Sequence, residues 1–424
     1  MKAKLTLLLI VSVGATVSCL AQTPEPSQST ETSFEELPEL SASEILRPEV
    51  VKGPHHTVRE PVSTYSGANQ FIIDSEFGVF EADGNEMLLR RINEIDAIAK
   101  LKEVSRTDEY KAALMKSAKA PVDAAKRIAS DPVGTIQSAP KGLMKFMSRA
   151  GESIKNVGKK NDSDPYEGSQ LEQLSGFSDT KRKIAISLGI DPYSSNTVLQ
   201  HELNEIAKAA FLGGATFSIA TLPLGGAAGV GLTTTEVSNS LEEVLREKSP
   251  SELKALNRKY LKAMGASDKD ADRFFANAAF SPTAQTAFVL NLRSLEGVAD
   301  RRSFIKLAAE TSSTETDAIF CTQTAALISK LHKGDVPLAR ITAIGGFPVC
   351  IAKDGSVVVA LQWDYAAWTA TAAAFAEKVQ RLAEGGAHKP VLVALSGQAS
   401  PRLQEELHSR GFTLRDHLNP GPLK

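Results

Sequence analysis

The sequence predicts a mainly α-helical fold, with a helical bundle-like region followed by a small α/β region at the C-terminus. Between about residues 85 and 335, apolar side chains recur at helical spacing and helix-start patterns are frequent. Further on, two β-rich runs flank Asp354-Gly355, a dipeptide typical of hairpin turns. The all-apolar run Val391–Leu395 then lies between two helical patterns. This order favours a small mixed sheet with helices packed on it.

The first 21 residues have the three parts of a secretory signal peptide. A short basic start, Met1–Lys4, precedes the uncharged run Leu5–Val17 and a small-residue end at Ala21. The apolar run is shorter than the roughly 20 residues that a membrane span needs. We therefore expect an exported protein of the periplasm or outer cell envelope. Two processing routes stay open, namely simple cleavage after Ala21, or acylation of Cys19 within a lipoprotein box formed by Thr16–Cys19.

Residues 22–60 have the composition of a linker. Pro, Ser, Thr and Glu dominate, and no basic residue occurs between Lys4 and Arg47. Such a segment buries too little apolar surface to offset its conformational entropy. We therefore predict a disordered acidic tether over residues 22–60.

Two folded regions are expected after the tether. The first, residues 61–335, is predicted to be mainly helical and to open with a short β-hairpin around Phe77-Gly78. Several helices in it are predicted to begin where Pro follows a capping residue, as at Asp191-Pro192, Ser249-Pro250 and Ser281-Pro282. The second, residues 336–424, is the predicted α/β region.

Residues 141–160 form the most distinctive pattern in the chain. At 100° per residue, the apolar side chains, Phe146 among them, fall in one sector of the helix. The opposite side carries six basic residues, Lys141, Lys145, Arg149, Lys155, Lys159 and Lys160. A helix of this kind lies on an anionic membrane surface through Phe146 and these charges. The alternative is an ordinary amphipathic helix that packs on the core.

A second segment, residues 209–235, has no charged side chain between Lys208 and Glu236 and is rich in Gly. Gly225 and Gly229 are four residues apart. Small residues at this spacing let helices pack closely in a membrane. Two interpretations stay open: a hairpin buried inside a soluble bundle, and a hairpin that inserts into a membrane.

After processing, Cys321 and Cys350 are the remaining cysteines, so no disulfide framework is expected. They either pair in an oxidising compartment or act as two small buried apolar side chains.

The sequence contains no recognisable catalytic, cofactor or metal motif. His201-Glu202 begins a zinc-helix pattern, but Glu205 stands where the second His is required. We expect no cofactor, no metal ion and no nucleic-acid partner.

The predicted function is that of a non-catalytic envelope protein, peripherally or partly membrane-associated, which acts through lipid or protein contacts. The alternative is an envelope enzyme of the hydrolase type with a site of scattered polar residues in the C-terminal region. Its candidate residues are Asp364, His388, Ser396, Ser400 and Asp416, which all lie near predicted strand ends, where sites of α/β proteins gather.

Overall fold

The computed structural model describes residues 34–116, 175–214, 238–385, 389–419 and 421–424. Its helices are α1 (Ala42–Ile45), α2 (Pro48–Val51), α3 (Asn85–Ser105), α4 (Ser175–Ser187), α5 (Thr197–Gly213), α6 (Ser238–Glu247), α7 (Pro250–Ala263), α8 (Asp268–Ala276), α9 (Pro282–Arg293), α10 (Arg302–Thr311), α11 (Glu315–Lys333), α12 (Ala370–Glu384) and α13 (Pro401–Ser409). Residues 108–116 are helical as well. The strands are β1 (Leu40–Ser41), β2 (His56–Val58), β3 (Pro61–Tyr65), β4 (Ala68–Ser75), β5 (Gly78–Asp83), β6 (Leu338–Ile344), β7 (Phe347–Ala352), β8 (Val357–Leu361), β9 (Tyr365–Ala366), β10 (Val391–Leu395), β11 (Gln398–Ala399) and β12 (Phe412–Arg415).

The prediction of a mainly α fold is wrong. The described residues form two five-stranded sheets, one antiparallel and one mixed, together with a two-stranded sheet of β9 and β11. The chain is therefore a mixed α/β protein. The antiparallel sheet was predicted only in part, as the hairpin of β4 and β5, because its outer strands are short and polar. β3, for example, buries only Val62 and Thr64 of its five residues.

The antiparallel sheet lies near the N-terminus. β4 is its long central strand. Phe71 and Ile73 are buried and alternate with more exposed neighbours, so one face of β4 packs against α3. β4 and β5 form the predicted hairpin, with Ser75 opposite Gly78, so that prediction is confirmed.

The prediction of a disordered tether is wrong for residues 40–58. This stretch forms β1, α1, α2 and β2, and it buries Ala42, Leu46 and Val50 fully in the same apolar cluster as Phe71. Composition misled here because the apolar residues of this stretch, although few, pack into one cluster with side chains of β3, β4 and α3.

The mixed sheet near the C-terminus has the strand order β12-β10-β8-β7-β6. β8, β10 and β12 are parallel, whereas β6, β7 and β8 form an antiparallel meander. Asp354-Gly355 occupies the β7–β8 turn, and Gly355 has a φ of +92° as expected. Val391–Leu395 is a strand between two parallel neighbours and is almost wholly buried. Both predictions are confirmed.

Helices cover both faces of this sheet. Val357, Val359 and Leu361 of β8 pack with α12 and α13, and the alternating Val358 and Ala360 pack with the cluster of α7–α11. Burial on both faces explains why β8 and β10 are continuously apolar.

The predicted helix starts at Ser249-Pro250 and Ser281-Pro282 are confirmed, since each serine caps its helix through its side chain. The start predicted at Asp191-Pro192 is wrong. That dipeptide forms a turn, and the next helix, α5, begins at Thr197 with Asn196 as its cap.

None of the helices in the described ranges combines the length and the apolarity that a membrane span requires. Cys321 and Cys350 are free, buried thiols, and burial raises the pKa of each to about 12. Both belong to one apolar cluster, which agrees with the interpretation as small core side chains.

Candidate functional site

The carboxyl ends of β8, β10 and β12 meet at one edge of the C-terminal sheet, which we call the carboxyl edge. Because these strands are parallel, the loops that follow them are neighbours. The predicted residues Asp364, Ser396, Ser400 and Asp416 all lie in these loops. His388 lies outside the described residues. These four residues thus lie near strand ends, as the sequence predicted.

Asp364 follows β8 and connects the C-terminal sheet to the antiparallel sheet and to α3. Its Oδ2 accepts hydrogen bonds from the backbone N–H groups of Asn69 at 3.0 Å and Asn85 at 2.9 Å. Asn85 is the first residue of α3, so the carboxyl group satisfies an N–H at that helix N-terminus. Burial raises the pKa of Asp364 to about 7, against the two N–H donors, which lower it, and with a further increase from nearby Glu86.

Ser396 and Asp416 fasten the loops of the carboxyl edge to one another. The Ser396 hydroxyl donates to the carbonyl oxygen of Trp363 at 2.7 Å, and Asp416 Oδ2 accepts from the Ala399 N–H at 3.2 Å. Gly397 lies so close to the loop after β8 that a Cβ there would stand 2.1 Å from the carbonyl oxygen of Asp364. These side chains hold the loops together.

Ser400 is the N-cap of α13 and also contacts a residue that the sequence placed in the tether. Its hydroxyl accepts from the Leu403 N–H at 3.0 Å and donates to Glu35 Oε2 at 2.6 Å. The same Glu35 oxygen accepts from the Trp368 N–H at 2.5 Å. Glu35 was missed because its partners are more than 330 residues away in the sequence.

The carboxyl edge therefore offers hydrogen-bond donors and fixed loops. Ser396 donates to a backbone carbonyl oxygen, and Ser400 donates to the carboxylate of Glu35. Both hydroxyls thus make hydrogen bonds with other parts of the chain, and that of Ser400 binds Glu35.

A second polar cluster, which the sequence did not predict, lies between α3 and the loop before α5. Arg91 pairs with Glu94 at 2.7 Å and donates to the Ser195 hydroxyl at 2.8 Å. Glu94 also accepts from Ser194 at 2.5 Å and from Asn196 at 3.0 Å. Arg91 and Glu94 are both largely buried, so these bonds compensate for their lost hydration.

Arg90 and Asp191 complete this cluster. Burial raises the pKa of Asp191, although bonds from Thr283 and Tyr193 and the charge of Arg90 oppose that change. Burial alone would lower the pKa of Arg90, but the surrounding carboxylates, Glu86 first among them, raise it above the ordinary value. The associated cavity is only about 20 Å³, so the cluster is a packed joint between α3, α11 and the α4–α5 loop. The one feature of the sequence that pointed to this cluster was the spacing of Arg91 and Glu94, three residues apart on a helix.

The paired histidines near the N-terminus do not share one environment. His55 contacts Glu76 at 2.7 Å near the surface, whereas His56 is buried and its Nε2 lies 3.0 Å from the carbonyl oxygen of Val50. Burial lowers the pKa of His56. Within the described ranges, no cluster of three His, Cys, Asp or Glu side chains could hold a metal ion.

A small apolar cavity lies between the C-terminal sheet and α12 and α13. Its volume is about 40 Å³, and its lining includes Trp363, Trp368 and Phe375. Small-molecule sites enclose roughly 300 Å³ or more, so this cavity is a packing gap in its present shape.

The predicted membrane-binding residues Lys141, Lys145, Phe146, Arg149, Lys155, Lys159 and Lys160, and the lipidation candidate Cys19, lie outside the described residues. The same is true of residues 215–235 of the uncharged segment.

The described residues that border these segments contact one another around Ala113, Gly176, Phe211 and Gly213. We call this place the corner. A Cβ on Gly213 would stand 2.4 Å from the carbonyl oxygen of Ala113, and a Cβ on Gly176 would stand 2.7 Å from the ring of Phe211. The described ranges that end at residues 116 and 214 and the range that begins at residue 175 are thus adjacent in space. Met115 is 68% exposed at the corner.

Comparison of the chain with protein-family models, with curated proteins and with solved structures finds no match.

Proposed function

We propose that this chain is a non-catalytic exported protein of the cell envelope that binds an anionic membrane surface through residues 141–160. In this proposal the basic residues contact lipid headgroups, and Phe146 enters the interface with the other apolar side chains of that segment. Residues 215–235 form a second contact, with the membrane or with a protein partner.

The observation that carries the proposal is the corner. Gly213 and Ala113 touch through their backbones, so the described range that ends at residue 116, ahead of the basic segment, lies beside the range that ends at residue 214, ahead of the uncharged segment. Segments that start from neighbouring positions in the fold can engage the same surface. Exposed Met115 adds an apolar side chain at the point of attachment.

The carboxyl edge supports the non-catalytic part of the proposal. Asp364, Ser396, Ser400 and Asp416 were the residues of the competing enzyme hypothesis. Each of them makes hydrogen bonds that hold a helix N-terminus or a loop in place. A role in folding accounts for all four.

The test is binding of the purified mature chain to liposomes. We expect binding to vesicles with 30% anionic lipid and far weaker binding to neutral vesicles, because each Lys or Arg near a negative surface contributes about 1 kcal/mol. Raising the salt from about 0.1 M to about 1 M should weaken binding, since the Debye length falls from about 10 Å to about 3 Å. Replacing Lys141, Lys145 and Arg149 by Glu should abolish binding.

A matched control keeps the same change of net charge but moves it elsewhere. Replacing the exposed Lys259, Lys269 and Lys378 by Glu should leave liposome binding close to that of the unaltered chain. Equal loss of binding in both triple variants would show that the net charge of the protein, and not residues 141–160, determines liposome binding. Failure of the unaltered chain to bind anionic vesicles would disprove the proposal.

A further inference from the structure

Residues 35–41 form a strap between the two sheets of the molecule. At one end, Glu35 contacts the carboxyl edge of the C-terminal sheet. At the other end, Leu40–Ser41 pairs with β3, and the Ser41 hydroxyl donates to Glu60 at 2.6 Å. The strap therefore has two fastenings, and the one at Glu35 is built from polar contacts.

The Glu35 carboxylate binds beside two helix N-termini. Ser400, which contributes its hydroxyl, is the N-cap of α13, and Trp368, which contributes its N–H, directly precedes Thr369, the N-cap of α12. The partial positive charge at the start of both helices favours a negative group at this position. The bound carboxylate, Glu35, is visible in the structure.

The site also makes a hydrogen bond with the backbone of the bound segment. The Glu35 N–H donates to the Trp368 carbonyl oxygen at 3.0 Å, while the Trp368 N–H donates to the Glu35 carboxylate. This reciprocal pairing recognises a carboxylate side chain together with the N–H of its own residue in an extended segment. A free inorganic anion would satisfy only half of it.

Little apolar burial holds the strap in place. Glu36, Leu37 and Glu39 are exposed, and Glu35 and Pro38 are only half-buried. A segment with few buried apolar contacts opens at a low free-energy cost. The Glu35 fastening is thus suited to exchange with a competing segment.

We propose that the Trp368 backbone and the Ser400 hydroxyl, next to the N-termini of α12 and α13, form a binding site for an extended acidic peptide, and that residues 35–41 occupy it in cis. Release of the strap frees the Trp368 N–H and the Ser400 hydroxyl for a glutamate of a partner segment. This site is independent of the membrane-binding proposal, because it lies at the carboxyl edge.

Tryptophan fluorescence offers a direct readout. The chain has two tryptophans, Trp363 and Trp368, and both lie at the carboxyl edge. A synthetic peptide that spans residues 33–42 contains no tryptophan, so it can be titrated against the full mature chain while their emission is recorded. Anisotropy of a labelled copy of the peptide gives an independent binding curve.

The full chain with Glu35→Ala should bind this peptide at least tenfold more tightly than the unaltered chain, since the cis segment no longer competes at high effective concentration. The Glu36→Ala chain is the matched control and should behave as the unaltered chain, because Glu36 is exposed. A peptide with Ala in place of Glu35 should not bind to any of these chains.

A second variant tests the site without removing the cap of α13. Adding Ser400→Asp to the Glu35→Ala chain keeps a good N-cap residue but places a negative charge where the peptide carboxylate binds. We expect it to lose peptide binding and to keep its circular dichroism spectrum. The proposal is overturned if the Glu35→Ala chain binds no better than the unaltered chain, or if the Ala-substituted peptide binds equally well.

Discussion

Asp364 shows how one buried side chain connects parts of the chain that are distant in sequence. It lies just after β8, yet its two donors belong to the antiparallel sheet and to the start of α3. Both donors bind the same oxygen, Oδ2, so the protonated carboxyl group can keep both hydrogen bonds while it avoids a buried charge. Its raised pKa follows from this burial.

Asp364→Asn should remove a pH dependence of stability. The pKa of Asp364 is about 7 in the folded protein, compared with 3.8 for an ordinary Asp, so the folded state binds the proton more tightly than the unfolded state. The stabilisation from this proton is complete below about pH 4 and is lost as the pH rises through 7. Between pH 5 and pH 8 the unaltered chain should therefore lose about 2–3 kcal/mol of unfolding free energy relative to Asp364→Asn.

Urea unfolding at pH 5 and pH 8 measures this difference. Asp354→Asn serves as the control, because contacts with Ser356 lower the pKa of Asp354 and place its titration below this pH window. Parallel pH dependences of the unaltered chain and Asp364→Asn would contradict the prediction.

At the scale of elements, the corner depends on the close approach of α5 to the helix at 108–116. The backbone of Ala113 lies directly against Gly213. It fills the space that the Cβ of any other residue at position 213 would need. Gly214 follows at once with a φ of +65° and ends α5 in the left-handed region. The two adjacent glycines thus have different tasks, one in packing and the other in chain direction.

Gly213→Ala should push the helix at 108–116 away from α5, because its Cβ would stand 2.4 Å from a backbone oxygen that has no rotamer to change. We expect a loss of about 1–3 kcal/mol in unfolding free energy and faster amide exchange in residues 108–116. Gly214→Ala is the matched control. It meets open space and should cost about 1 kcal/mol for its left-handed backbone, without altering exchange in that helix. Equal exchange in the two variants would contradict this account.

The elements that the sequence predicted correctly are those fixed by local rules. Asp354-Gly355 specifies a hairpin turn, Ser249 and Ser281 cap helices directly ahead of Pro, and the apolar run Val391–Leu395 is a buried strand. Residues 40–58 were misread because their strand partners β3 and β4 and the apolar cluster they join lie outside the segment. Glu35 was misread because its partners are more than 330 residues away in the chain. Asp364 was placed at the correct edge, but its role as a partner of α3 depends on three-dimensional contacts.

At the scale of the whole molecule, the last residues of the chain close over the N-terminal elements. Arg47 donates to the carbonyl oxygen of Gly421 at 2.7 Å, and Leu46, which is fully buried, bridges to Leu423. The Lys424 N–H donates to the carbonyl oxygen of Ile45 at 2.9 Å. These contacts make the ordering of α1 and α2 depend on residues 421–424.

Removal of residues 421–424 should therefore loosen the N-terminal elements before the rest of the protein. Loss of several hydrogen bonds worth about 0.5–1.5 kcal/mol each, together with exposure of Leu46, should lower the unfolding free energy by at least about 2 kcal/mol. Trypsin should then cleave after Lys52 faster in the shortened chain than in the full chain. Lys424→Ala keeps the backbone contacts and loses only the exposed hydrogen bond from the Lys424 ammonium to the carbonyl oxygen of Ser43, so its cleavage rate and stability should change far less than those of the shortened chain. If the shortened chain resisted trypsin at Lys52 as well as the full chain does, then α1 and α2 would be held by the antiparallel sheet alone, and the closing role of the C-terminal residues would be refuted.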